Sequence, residues 1–138
     1  MLQIPRRFLE DIVAHALEED PNECCGLLAG SGDAASRLFR ITNSEKSPIR
    51  YLMDPKEQFA AFKAIRNEGL SLLAIYHSHT HTPAYPSPTD IRLAFYPEAR
   101  YLIVSLEKKS VPVIRTYRIV DGKISEENWM ESKEAPIP

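Results

Sequence analysis

Apolar and polar positions along this chain alternate with two different periods. Phe8, Ile12, Val13, Ala16 and Leu17 recur at helical spacing, which predicts a helix over residues 5–19, with Pro5 suited to its first turn. His15 on that helix is read as a surface residue. Residues 24–30 and 36–42 read as strands joined by a turn at Ser31-Gly32-Asp33, and residues 50–53 add a short strand. Asp54-Pro55-Lys56-Glu57 has the chemistry of a helix start, and Phe59, Phe62 and Ile65 supply a buried face before Gly69 stops the helix. The run Leu72-Leu73-Ala74-Ile75-Tyr76 is continuously apolar and free of Gly and Pro, which suits a central strand buried on both faces, within residues 71–79. Strands at 101–106 and 112–120 follow, after a short helix near 88–96. Asp121-Gly122 turns into a last short strand. This order of elements implies an α/β domain with helices flanking a mixed sheet.

Composition narrows the picture. With 138 residues, 43% hydrophobic and 26% charged, the chain is one domain able to build a core without disulfides. The domain is expected to span residues 1–125. Residues 126–138 read as an acidic tail with a disordered end, and Trp129 either docks that tail on the domain or marks a small partner contact. A net charge of −2 argues against a broad nucleic-acid surface. The start lacks the apolar run of a signal peptide and nothing approaches membrane-spanning length, so no membrane role and a cytoplasmic location are expected. Cys24 and Cys25 are adjacent, which is poor disulfide geometry and unlike zinc-site spacing. They read as small buried strand residues, with redox modulation beside Glu23 as the other reading.

Candidate chemistry concentrates in residues 77–90. Residues two apart on a strand share a face, so His77 and His79 at the polar end of the apolar run aim at one point, with Ser78 opposite. Proline at 83, 86 and 88 forces an extended loop, after which Ser87 suits an N-cap, Pro88 a first helical position and Asp90 the third residue past the cap. Such a loop carries Asp90 back over the strand end. Two imidazoles and a carboxylate are three protein ligands, the number a catalytic zinc uses while keeping a position for water. Each residue also has a plain structural reading: histidines at a strand end are commonly solvated polar groups, and Ser-x-x-Asp resembles a capping box. Glu23 alone is a loop acid. The spacing of all four downstream residues arises by accident on the order of once in several thousand chains of this length, so the conjunction carries the reading.

This pattern resembles the JAMM (MPN+) zinc metalloprotease family, whose signature is an upstream Glu, then His-x-His, seven residues, Ser, two residues and Asp. Thr80 through Pro86 fill the seven, and Pro88-Thr89 fill the two. Pro21-Asn22-Glu23-Cys24-Cys25-Gly26-Leu27-Leu28-Ala29-Gly30 is similar to the family's first strand, and the resemblance covers residues 5 to 120. Thr80 departs from the Pro that many members carry after the second His. The resemblance implies a curved sheet laid out like the cytidine deaminase fold. It implies one Zn²⁺ held by His77, His79 and Asp90, Glu23 as general base and then acid, and Ser87 as oxyanion donor. Among members, the chain looks like short, stand-alone prokaryotic enzymes that cleave after the C-terminal Gly-Gly tail of ubiquitin-like sulfur-carrier proteins, one version releasing cysteine. Pairing of such a tail with a sheet edge beside the metal is the expected binding mode.

Three other readings compete. His77-x-His79-x-His81 invites a histidine-triad nucleotide hydrolase, but Ser78, Thr80 and Thr82 stand where that motif wants apolar residues. A metallo-β-lactamase pattern needs an Asp-His pair where Thr80-His81 stands, and His81 is read as a rim residue. A non-catalytic MPN-type scaffold is the third; such relatives usually lack a ligand, whereas all five positions are present here.

Overall fold

The computed structural model describes residues 1–133. The chain runs β1 (Leu2–Pro5), α1 (Arg6–Glu19), β2 (Cys25–Ser31), β3 (Ala34–Ile41), α2 (Pro55–Asn67), β4 (Ser71–His79), α3 (Pro88–Arg92), β5 (Arg100–Ser105), β6 (Val113–Val120), β7 (Lys123–Glu127) and β8 (Trp129–Ser132). All the strands join one mixed sheet in the order β7-β6-β5-β4-β2-β3-β1-β8. The apolar run makes β4 a central strand, antiparallel to β2 and parallel to β5.

Alternation along β4 divides the core in two. Tyr76 packs with Phe8, Ile12 and Leu102 on the α1 face. Ile75 packs with Ala61, Ile65 and Ile103 on the α2 face. Burying a side chain such as Leu102 or Ile103 contributes roughly 1.5–3 kcal/mol, and a one-residue slip would send each to the wrong face. The same register commits His77 and His79 to the face of Ile75. Gly26 on β2 is fixed by this packing, because a Cβ there would lie 2.1 Å from Tyr76 Cε2.

Several expectations are corrected. His15 is buried, on the same α1 stripe as Phe8, Ile12 and Ala16, whereas Leu17 is exposed. Burial and the nearby Arg40 charge lower the pKa of His15, whose Nδ1 shares a hydrogen bond of 2.7 Å with the Tyr76 hydroxyl. On α2, Ala61 and Ile65 face the sheet, Phe62 is half-buried and Phe59 is 68% exposed. Residues 50–53 form no strand; only an isolated bridge joins Asn43 to Met53. The helix expected at 88–96 stops at Arg92.

The boundary expected after residue 125 falls inside β7, and β8 beyond it lies parallel to β1, a strand absent from the sequence reading. The acidic residues at the start of the expected tail pair with arginines. Glu127 Oε1 accepts from Arg100 at 3.0 Å and from Arg118 at 3.2 Å, and Glu126 pairs with Arg115. Trp129 on β8 donates its indole N–H to Ile114 O on β6 at 3.1 Å, so the sheet curls until its two ends meet. The disorder expected at the chain end falls on residues 134–138, outside the described residues. No helix among the described residues is long and apolar enough to cross a membrane.

Candidate metal centre

The end of β4 delivers two imidazoles to one point: His77 Nε2 and His79 Nε2 are 3.1 Å apart. The proline-rich loop after β4 returns the chain so that α3 starts against the same point. Ser87 caps it, accepting on Oγ from the Asp90 N–H at 3.0 Å, while Asp90 Oδ2 accepts from the Ser87 N–H at 2.9 Å. This reciprocal capping box aims the carboxylate. Oδ2 lies 3.1 Å from His77 Nε2 and 2.9 Å from His79 Nε2, and all three residues are buried.

Hydrogen bonding alone accounts poorly for three ligand atoms this close. His79 Nδ1 lies 2.8 Å from Pro83 O, so its proton sits on Nδ1 and, in the neutral ring, Nε2 presents a lone pair. Two imidazole nitrogens and a carboxylate oxygen then converge with few protons to share. A tetrahedral ion with ligand bonds of about 2.0–2.1 Å spaces its ligands about 3.3 Å apart, close to the separations found. The donor set and its geometry therefore fit a cation, and nitrogen and oxygen donors suit zinc. The charges of the three groups lean on each other. Burial opposes ionisation of Asp90, yet the two histidines and the Ser87 N–H hold its pKa well below the carboxylate range. Burial lowers the His79 pKa, but the bonds to Asp90 and Pro83 outweigh it and leave it raised.

The His77 ring is held differently. Its Nδ1 is buried without a hydrogen-bond partner, and the ring stacks on Tyr51, centroids 4.8 Å apart and planes at 30°.

Glu23 stands just before β2, 3% exposed, with Oε1 unpaired. Burial is the main cause that pushes its pKa up to about 8, with Asp90 adding to the rise and His79 opposing it. Glu23, His79 and Ser87 line one cavity of about 440 Å³ together with Pro48, Ile49 and Thr80. Because Ser87 Oγ is an acceptor in the cap, its O–H is free to donate into that cavity. Thr80 is buried, and its Oγ1 donates to Pro48 O at 3.3 Å, so the departure from Pro serves the neighbouring loop. His81 is exposed and also lines the cavity. On the other side of Asp90 a second cavity, about 300 Å³, runs between residues 50–53 and α3, with Leu52, Leu93 and Phe95 on its walls.

The five residues singled out in the sequence thus surround one place, with Cys24 and Cys25 as buried free thiols behind it. Burial pushes the Cys24 thiol up to about 12 and raises Cys25 as well, which leaves neither available as a thiolate. Tyr51 and Asn43 escaped the sequence reading. Their roles depend on a loop closure that no local pattern encodes.

A family profile described as prokaryotic homologs of the JAB domain matches residues 5–120. The chain belongs to this family. The mixed, curled sheet with flanking helices is accordingly the JAB/MPN fold that the motif resemblance implied. Among JAB relatives, the chain is 42% identical over 129 residues to the CysO-cysteine peptidase of Mycobacterium tuberculosis, covering 92% of this chain and 88% of that protein. It is 48% identical over 95 residues to a probable TtuB-protein conjugate cleaving protease of Thermus thermophilus, covering 68% of this chain and 64% of that protein. The solution structure of protein DSY2949 from Desulfitobacterium hafniense superimposes with a TM-score of 0.87 at 39% identity, covering 97% of this chain and 94% of that one.

Proposed function

We propose that this JAB-family protein is a zinc-dependent peptidase of the cytoplasm. It hydrolyses an amide bond after the C-terminal Gly-Gly tail of a ubiquitin-like sulfur-carrier protein. The observation that carries the reading is the convergence of His77 Nε2, His79 Nε2 and Asp90 Oδ2 beside a buried carboxylate and a free hydroxyl donor. Relatives named as peptidases acting on carrier adducts and protein conjugates support the substrate class.

In this reading His77, His79 and Asp90 hold the ion. Zinc, when bound, supplies Lewis acidity that polarises a carbonyl and acidifies water to a pKa of roughly 7. Glu23 Oε1 accepts the proton of the attacking water and returns it to the departing amine nitrogen. Its raised pKa suits the return step, and a cation held by the three ligands would lower it for the first. Ser87 Oγ–H donates to the oxyanion as charge develops. The sheet's outermost strands, β7 and β8, carry none of these residues, whereas the groove between residues 50–53 and α3 reaches Asp90. The carrier tail enters along that groove, and the leaving group occupies the cavity beside Glu23 and His81.

The test is zinc stoichiometry by elemental mass spectrometry, on wild type and Asp90→Ala purified without chelator, followed by cleavage of a carrier adduct ending in Gly-Gly. Near one zinc in wild type, far less in the variant, and amide cleavage by wild type alone are expected. Wild type that takes up no zinc after reconstitution would refute the enzyme reading in favour of the scaffold.

A further inference from the structure

Glu23 lies just outside β2, and although Cys24 beside it is tied to Ser78 on β4, its own backbone groups bond elsewhere. Its N–H donates to Ser47 O at 2.9 Å, and its carbonyl accepts from Asn43 Nδ2 at 3.0 Å. Both backbone groups are therefore held by the loop between β3 and α2. Within that loop Asn43 is 8% exposed and uses its whole carboxamide. Nδ2 donates to Arg50 O at 3.1 Å as well as to Glu23 O. Oδ1 accepts from Glu45 N–H at 3.1 Å and Leu52 N–H at 3.0 Å. Two donors and two lone pairs are all an amide side chain has.

The bonds to Arg50 and Leu52 bracket Tyr51, the residue whose ring stacks on His77. One buried side chain thus ties the carboxylate-bearing residue to the plate beneath an imidazole of the centre. Ordinary loop closure needs only part of this. Ser44 already closes the loop, with its N–H and its hydroxyl both donating to Leu52 O, at 2.8 and 2.9 Å.

We propose that Asn43 is a positioning residue for hydrolysis: its carboxamide sets Glu23 and Tyr51 in one frame relative to His77. The inference rests on the base role proposed for Glu23. A displacement of about 1 Å at a reacting group can cost on the order of 10² in rate, so the frame is read in kcat. Asn43→Ala removes the whole frame. Asn43→Asp keeps an acceptor for Glu45 and Leu52 but removes both Nδ2 donors, and Ser44→Ala weakens the same loop without touching Glu23.

The experiment uses the full chain, with steady-state kinetics on the zinc-loaded protein and amide hydrogen exchange by NMR on the metal-free protein. Asn43→Ala is expected to lower kcat by on the order of 10–10² with KM changed less than about threefold, and to speed exchange at the Glu23 and Leu52 amides. Asn43→Asp is expected to lower kcat similarly while Leu52 stays protected; this comparison holds even if the Ala variant fails to fold. Ser44→Ala is expected to keep wild-type kcat. Faster exchange at Glu23 with unchanged kcat, or an equal kcat loss in Ser44→Ala, would overturn the proposal and leave Asn43 a loop staple. Full turnover in Glu23→Gln, measured alongside, would instead overturn the base role on which it rests, and so separates the two failures.

Discussion

Glu23→Gln separates the two properties that burial gives this residue. In the metal-free protein the carboxyl has a pKa of about 8, against 4.5 for the ordinary group, because water is excluded from it. An acid whose folded-state pKa is raised stabilises the fold fully below its unfolded pKa and loses that contribution as pH rises toward the folded one. The window is therefore pH 4.5 to 8. Linkage over this interval gives a loss of about 2–3 kcal/mol between pH 5 and pH 7, and about 5 kcal/mol when the whole shift is expressed. At 3% exposure little solvent screening reduces the figure. For a domain of this size that loss lowers Tm by roughly 10 °C. The glutamine amide carries a burial cost of its own, but one independent of pH. Thermal unfolding in chelator from pH 5 to 8 should show wild type losing stability relative to Glu23→Gln as pH rises. The same variant, loaded with zinc, should retain the metal and lose turnover. Parallel stability curves for the two proteins would refute the buried-carboxyl argument, and unchanged turnover would remove Glu23 from the mechanism.

Ser87→Ala removes a hydroxyl that caps α3 and lines the cavity, so kcat should fall by roughly 10²–10³ with modest change in substrate affinity. The lost cap should cost about 1 kcal/mol in urea unfolding; a variant with that stability loss but wild-type kcat would make Ser87 a cap alone. Gly26→Ala places a methyl 2.1 Å from Tyr76 Cε2, and pushing that ring away strains its bond to His15. A loss of about 1–3 kcal/mol is expected by denaturant unfolding, and wild-type stability would show that the β2–β4 contact can relax.

The legible parts of this protein are those encoded by short-range periodicity. The strand at 71–79 has the bounds its apolar run implied, because a continuous apolar segment can only be buried on both faces. The capping box at Ser87 and Asp90 was equally readable, since it needs only residues three apart. The illegible parts depend on contacts distant in sequence. Leu17 and His15 are both compatible with a helical stripe, and only the position of Tyr76 decided that the imidazole goes in. Glu126 and Glu127 have the composition of an acidic tail, and only their register opposite Tyr117 and Thr116 on β6 makes them strand residues.

The candidate site divides along the same line. The sequence by itself determined two local placements: His77 and His79 share a face because strand side chains alternate, and the spacing from Ser87 to Asp90 is about one helical turn. Only the tertiary structure decided that Asp90 Oδ2 meets both imidazoles, that Glu23 is buried near them, and that Asn43 bonds to Glu23 while Tyr51 stacks on His77. Those facts require loops to close over 11 residues between His79 and Asp90 and over 20 between Glu23 and Asn43. Closure of that kind is governed by packing and hydrogen bonds that exist only once the sheet has formed.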